Sequence, residues 1–204
     1  MVEASLGAHR SGPLVSEISS KQALAAASAA YVTWGFLPPF LAALRPANPL
    51  EILAHRIVWS FVLVLLALLL LRGGWSWLRS SVFTRRALPS LLAASALIGT
   101  NWLIYIWAVN NQHVVEASLG YFINPLVNVL FGVLIFGERL GLGARIGGST
   151  VLLGVVVISA GNWDGLWVSL TLACSFGLYG VVKKRSTLTA LQGLLIESAF
   201  LTPL

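Results

Sequence analysis

The sequence predicts an all-α protein, a polytopic bundle of transmembrane helices. Hydrophobic residues make up 57% of the 204 residues and charged residues only 10%, against roughly 25% charged in a soluble domain. The mean hydropathy is +0.86. The apolar residues also gather into long stretches, separated by short segments that carry most of the Lys and Arg. A helix needs ~20 apolar residues to cross a hydrocarbon core of ~30 Å, so these stretches have the length of membrane spans.

The predicted elements begin after residues 1–21, which are polar and small and lack the apolar core of a signal peptide. We expect this segment to be a disordered cytoplasmic tail. Seven apolar spans follow: Ala23–Leu44, Ile52–Leu71, Ala87–Val109, Val114–Phe136, Leu142–Gly161, Leu166–Val182 and a last one from Leu188 that is still apolar at Leu204. The part of the second span from Phe61 onward is nearly pure Leu, Val and Ala, which predicts contact with lipid.

The basic residues predict the orientation of the spans. With the N-terminus inside, eleven Lys and Arg fall on the inner side, and only Arg45 and Arg56 fall on the outer side. This asymmetry follows the positive-inside rule and predicts a cytoplasmic N-terminus. The net charge of +6 lies in clusters between spans rather than on one folded face, so we expect no nucleic-acid partner.

Motifs for catalysis and cofactors are missing from the sequence. No Ser nucleophile has a paired His, no two acids converge, and no Gly-rich loop with Lys is present to hold a phosphate. The single cysteine, Cys174, excludes a disulfide or a cysteine metal cage within these residues, and its apolar surroundings predict a buried, inert thiol. We therefore expect no enzyme, no cofactor and no metal.

Two parts of the chain repeat each other weakly. The segment Ala29–Gly35 and the segment Cys174–Gly180 both end in an aromatic–Gly pattern, at an offset of 145 residues. Glu51 and Glu197 lie near the starts of the spans that follow, at an offset of 146. Five spans separate the copies, an odd number, so the second copy is inverted in the membrane. Inverted repeats are typical of secondary transporters.

Three longer strings resemble a known family. They are EILAHRIVWS from Glu51, NWLIYIWAVNN from Asn101, and EASLGYFINPLVN from Glu116, the last followed by Gly-Glu-Arg at 137–139. Together they resemble the RarD branch of the EamA family, in the drug/metabolite transporter superfamily. The resemblance covers residues 22 to 204. It implies ten helices in two inverted five-helix halves in the bacterial inner membrane, export of small metabolites or drugs, and an association with chloramphenicol sensitivity.

The resemblance also implies a division of the chain. Residues 22–161 correspond to the first five-helix repeat, and residues 162–204 correspond to the start of an incomplete second repeat. We therefore expect a chain truncated after about seven of ten helices. The alternative to a transporter is a truncated membrane interaction protein that does not transport.

Polar and aromatic side chains inside the spans predict a substrate cavity, because lipid disfavours polar groups that are neither paired nor hydrated. Asn101 and Tyr105, like Asn124 and Asn128, are four residues apart and share a helix face. The full predicted set is Trp34, Asn101, Tyr105, Tyr121, Asn124, Asn128 and Tyr179. Two alternatives remain open: interhelical hydrogen bonds, worth about 0.6 kcal/mol each in membranes, and interfacial anchoring by the aromatic rings.

A proton- or ion-coupled exporter needs titratable groups near its pathway. The candidates are Glu51, His55 and Arg56 at the outer end of the second span, with Glu197 as the symmetric residue. Glu51 and His55 are four residues apart and can interact directly, so an interfacial ion pair that orients the span is the alternative. The expected partners are a small-molecule substrate and membrane lipid. The spacing of Gly143 and Gly147 as GxxxG predicts close helix packing, within the chain or in a homo-oligomer.

Overall fold

The computed structural model describes residues 20–71, 74–85, 87–159, 164–184 and 186–203, so all but the last two residues of the predicted tail lie outside it. Every regular element in these ranges is helical, which confirms the all-α fold. The seven α-helices are α1 Ser20–Ala43, α2 Pro49–Leu70, α3 Ala87–Asn110, α4 Val114–Phe136, α5 Leu142–Ser159, α6 Leu166–Lys184 and α7 Ala190–Leu201. A π-helical turn, Leu78–Val82, lies between α2 and α3.

Five of these helices, α1, α2, α3, α4 and α6, are long and apolar enough to cross a membrane. The helices α5 and α7 are apolar but shorter, over Leu142–Val157 and Ala190–Leu201 in the described residues. Both of them coincide with predicted spans. The prediction of a multi-pass helical membrane protein is thereby confirmed.

Local sequence signals fix several helix ends. Asn48 caps α2, because its side-chain oxygen accepts from the Leu50 N–H at 2.9 Å, and Pro49 at the first helical position needs no hydrogen-bond partner for its nitrogen. Thr189 and Gln192 form a reciprocal capping box at the start of α7. Gly137 ends α4 in the left-handed conformation, at φ +66°, which glycine adopts without steric cost.

The residues up to Leu37 and those from Pro38 onward form two compact units. In the first unit Tyr31 and Trp34 are exposed. In the second unit α6 packs most extensively against α4 and α3, α7 packs against α2 and α3, and α5 packs chiefly against α4. The core includes a cluster of Leu119, Ile123, Val127 and Ala173, between α4 and α6.

The prediction that Cys174 is buried is wrong. Cys174 is exposed, whereas the neighbouring Ala173 is fully buried and Ser175 is 7% exposed. Both faces of a membrane-spanning helix are apolar, so apolar neighbours in the sequence do not show which face is turned inward.

Candidate functional site

An arginine and three aromatic rings form a continuous row across α2, α3 and α4. The guanidinium carbon of Arg56 lies 3.2 Å from the centroid of the Trp102 ring. Trp102 meets Tyr105 edge to face with ring centroids 5.8 Å apart, and Tyr105 meets Tyr121 in the same way at 5.8 Å. We call Arg56, Trp102, Tyr105 and Tyr121 the aromatic row.

The helices place these four residues together for simple reasons. Trp102 and Tyr105 are three residues apart on α3 and therefore neighbours on its surface. Arg56 lies in the second turn of α2, and its planar guanidinium stacks on a ring face, an attraction of about 2 kcal/mol or more when water is excluded. Within the described residues, no carboxylate forms an ion pair with Arg56. A charged residue within a membrane span is by default a functional candidate.

Asn124 extends the row by one buried amide. It follows Tyr121 by three residues on α4, so the two share a face, and it is 8% exposed. Among the described residues, no group donates a hydrogen bond to its buried side-chain oxygen, Oδ1. An unsatisfied buried acceptor costs about 1–3 kcal/mol and calls for a physical explanation, which a ligand that donates a hydrogen bond would supply. Asn128, one turn further along, is exposed.

Asn101 is committed to helix packing. Its Nδ2 donates to the Leu172 carbonyl at 2.9 Å and to the Ser175 hydroxyl at 2.9 Å, both on α6. The residue is 2% exposed. This geometry corresponds to the interhelical alternative for Asn101, while Tyr105 on the same face belongs to the aromatic row.

A second polar group joins α6 to α7. The Glu197 carboxylate, 3% exposed, accepts from Lys183 Nζ at 2.8 Å and from the Tyr179 hydroxyl at 3.0 Å. Tyr179 and Lys183 are four residues apart on α6, so they approach the carboxylate from one face. We call Tyr179, Lys183 and Glu197 the carboxylate network.

The four predicted coupling residues do not come together. Glu51 and His55 are both exposed, and no ion pair joins them within the described part of the chain. Arg56 belongs to the aromatic row, and Glu197 belongs to the carboxylate network between α6 and α7. Trp34 lies in the unit that ends at Leu37, with 53% of its surface exposed.

A third polar contact joins α4 to α6 near their first turns. The Ser169 hydroxyl donates to the Glu116 carbonyl at 2.6 Å, and His113 Nδ1 lies 3.3 Å from the Glu116 carboxylate. The His113 ring also stacks on Trp107, with centroids 5.4 Å apart. In the sequence, Glu116 stands out only as the first residue of one of the family strings.

Sequence reasoning missed two residues of these sites, Trp102 and Lys183. Trp102 lies in one of the family strings, and Lys183 is one of the eleven inner Lys and Arg, but neither was predicted as a site residue. Tyr179 and Lys183 are four residues apart and therefore share a helix face. This spacing was the available signal for Lys183.

Apolar membrane-spanning helices with charged and amide side chains on their inner faces define a polytopic membrane protein with a polar interior. This architecture is typical of membrane transporters. The chain belongs to the EamA-like transporter family, which matches residues 21–160. The family resemblance drawn from the sequence is thereby confirmed, and the family is one of membrane transporters.

Relatives named RarD share much of the sequence. Protein RarD of Streptomyces exfoliatus is 46% identical over 84% of this chain and 54% of its own length. Protein RarD of Escherichia coli K12 is 39% identical over 90% of this chain and 62% of its own. The chloramphenicol-sensitive protein RarD of Pseudomonas aeruginosa is 37% identical over 88% of this chain and 60% of its own.

The chain thus spans about three-fifths of the length of these curated relatives. No solved structure matches the chain.

Proposed function

We propose that this chain supplies a substrate-binding wall of an inner-membrane secondary transporter that exports small, flat, weakly polar molecules. The observation that carries the proposal is the aromatic row, which ends at Tyr121, three residues before Asn124 and its unsatisfied oxygen on α4. Three helices bring together a cation, three aromatic rings and an amide acceptor within a few turns. These groups suit a ligand with an aromatic or conjugated ring and a few polar groups.

Each side chain has a separate role in this proposal. The ring faces of Trp102, Tyr105 and Tyr121 contact the flat part of the substrate, and Arg56 donates to a carbonyl or nitro oxygen. Asn124 accepts a hydrogen bond from a substrate hydroxyl or amide. Chloramphenicol is the first probe, because one relative is named a chloramphenicol-sensitive protein. The compound also carries a flat ring, a nitro and a carbonyl oxygen for Arg56, and hydroxyl and amide donors for Asn124.

We propose that transport is coupled to an ion gradient, because the sequence has no phosphate-binding loop of an ATP-driven pump. Glu197 is the strongest of the predicted coupling candidates, since its carboxylate is buried and has two partners on a neighbouring helix. Glu51 and His55 are weaker candidates because both are exposed.

Asn124 and Asn128 offer a matched test of the substrate site, one buried and one exposed on the same helix. We expect Asn124→Leu to reduce chloramphenicol flux about tenfold or more, the cost of one lost ligand hydrogen bond. We expect Asn128→Leu to change flux less than twofold. Flux is measured in cells at matched membrane levels of wild type and variants, against cells with an empty vector.

Two results would contradict this expectation. Loss of protein from the membrane in proportion to loss of flux would make Asn124 a packing residue. Equal flux from wild type, Asn124→Leu and the empty vector would favour the alternative function, a membrane interaction protein that does not transport. That alternative is favoured by α5, where Leu142, Ile146, Leu153 and Val157 are all at least 60% exposed within the described chain.

For the orientation, we propose a cytoplasmic N-terminus, with His113 and Asp164 outside and Arg85 and Lys184 inside. The distribution of Lys and Arg between the two sides supports it. Single cysteines placed at these four positions in a Cys174→Ala background are expected to react with an impermeant thiol reagent only at 113 and 164. Labelling at position 85 from outside intact cells would contradict the orientation.

A further inference from the structure

A hydroxyl-lined cleft opens between the π-helical turn, the start of α3 and the end of α6. Its volume is about 580 Å³. Six hydroxyl residues line it, namely Ser80, Ser81, Thr84, Ser90, Ser186 and Thr187, and Lys183 supplies the only charge among its described lining residues. The cleft is separate from the aromatic row, which involves none of these residues.

Two of the six hydroxyls, those of Ser80 and Ser90, already donate to backbone carbonyls, but the other hydrogen bonds in the cleft leave donors for a ligand. Thr84 Oγ1 accepts from the Ala87 N–H at 3.1 Å, and Ser186 Oγ accepts from the Leu188 N–H at 3.3 Å. A hydroxyl that accepts from the backbone still has its own hydrogen to donate. Lys183 has three N–H groups, and Glu197 takes one of them at 2.8 Å. These groups suit a ligand that accepts several hydrogen bonds.

The electrostatics of the cleft favour an anion. None of the described lining residues is acidic, and Glu197 lies behind Lys183 with only 3% of its surface exposed. Ala87 is both a lining residue and the first residue of the 24-residue helix α3, so the positive end of that helix dipole faces the cleft. In the first turn of α3, Ala87 and Leu88 already donate their N–H groups to Thr84, and Pro89 has none. The donors that remain for phosphate oxygens are therefore the Lys183 ammonium and the free hydroxyl hydrogens.

From these features we propose that the cleft binds a phosphate-class oxyanion, either free phosphate or the headgroup of an anionic phospholipid. Both sources present the same tetrahedral group of acceptor oxygens. A lipid headgroup is accessible here because the cleft lies at the ends of membrane-spanning helices, where basic pockets between helices bind anionic lipids. The proposal concerns binding and does not depend on the transport function proposed above.

The test uses the full chain in phosphatidylcholine nanodiscs, with ³²P-labelled inorganic phosphate as the probe. We expect saturable binding that weakens about tenfold or more in Lys183→Gln/Glu197→Gln, where no buried charge is left unpaired. The variant Ser81→Ala/Thr187→Ala tests the hydroxyls without touching the ion pair and is expected to weaken binding severalfold. Lys184→Gln, one residue away and paired with Glu138 on the surface, is the control and is expected to bind as wild type does.

A second arm identifies the source of the phosphate group. The same binding assay is repeated in nanodiscs that contain phosphatidylglycerol. A headgroup site is indicated if this lipid competes with free phosphate. It is also indicated if native mass spectra show the lipid retained by wild type but not by the Lys183 variant. Saturable phosphate binding without such competition indicates a site for free phosphate. The proposal is overturned if neither probe binds saturably, or if Lys184→Gln loses as much binding as the Lys183 variant, which would indicate diffuse surface charge.

Discussion

Lys183→Met is expected to lower the free energy of unfolding by about 3–5 kcal/mol, the typical loss when one partner of a buried ion pair is removed. The carboxylate of Glu197 is 3% exposed on its side chain, and Lys183 is 23% exposed. Without the lysine, Glu197 keeps only the Tyr179 hydroxyl as a partner in the carboxylate network. The remaining charge then lies in a poorly solvated interior, which is costly.

The chain provides a matched control in the next residue. Lys184 pairs with Glu138 at the same distance, 2.8 Å, but the two side chains are 57% and 54% exposed. An exposed pair is worth at most about 1 kcal/mol, so Lys184→Met should have a small effect. The double variant Lys183→Met/Glu197→Gln should recover much of the lost stability, because it leaves no buried charge.

Equilibrium unfolding of the purified chain in mixed micelles, followed by circular dichroism, measures these differences. Equal destabilisation by Lys183→Met and Lys184→Met would show that burial does not control the strength of these pairs. Failure of Glu197→Gln to recover stability in the double variant would show that the cost arises from lost packing of the lysine stem.

The helices could be predicted from the sequence because their signals are local. Apolar stretches of span length, Asn48 with Pro49, Thr189 with Gln192, and Gly137 each act within a few residues. The family resemblance could also be predicted, because each sequence segment that carries it lies within one helix or at its end. The predicted spans therefore coincide with the helices to within a few residues at most ends.

The candidate site was less predictable because its members depend on which helix faces meet. The sequence shows that Asn101 and Tyr105 share a face, but not that Asn101 binds α6 while Tyr105 contacts Tyr121. Likewise Asn124 and Asn128 are equivalent by spacing, and only packing separates the buried one from the exposed one. In an apolar span both faces satisfy the hydrophobic pattern, so periodicity carries little information about the interior. The inverted repeat remains a prediction.

The second large expected effect arises at a close contact between α4 and α6, at Gly120. A Cβ built on Gly120 would lie 3.0 Å from the Ser169 carbonyl oxygen and 3.0 Å from Leu172 Cβ. Small residues at such positions allow two membrane helices to approach closely, and that approach is a main source of their association. The Ser169–Glu116 hydrogen bond, 2.6 Å long, is formed at the same contact.

Gly120→Val is therefore expected to destabilise the protein by about 1–3 kcal/mol or more, the usual cost of overpacking, because the backbone of Ser169 cannot rotate away. Gly120→Ala should give a smaller loss, so the two variants form a graded series. The control is Gly147 on α5, where an added Cβ meets nothing within 4 Å of the described chain. Unfolding in mixed micelles should then rank Gly120→Val as the least stable and leave Gly147→Val close to wild type. If Gly147→Val proves as destabilising as Gly120→Val, the glycine face of α5 packs against a partner in the membrane, and close approach is not peculiar to α4 and α6.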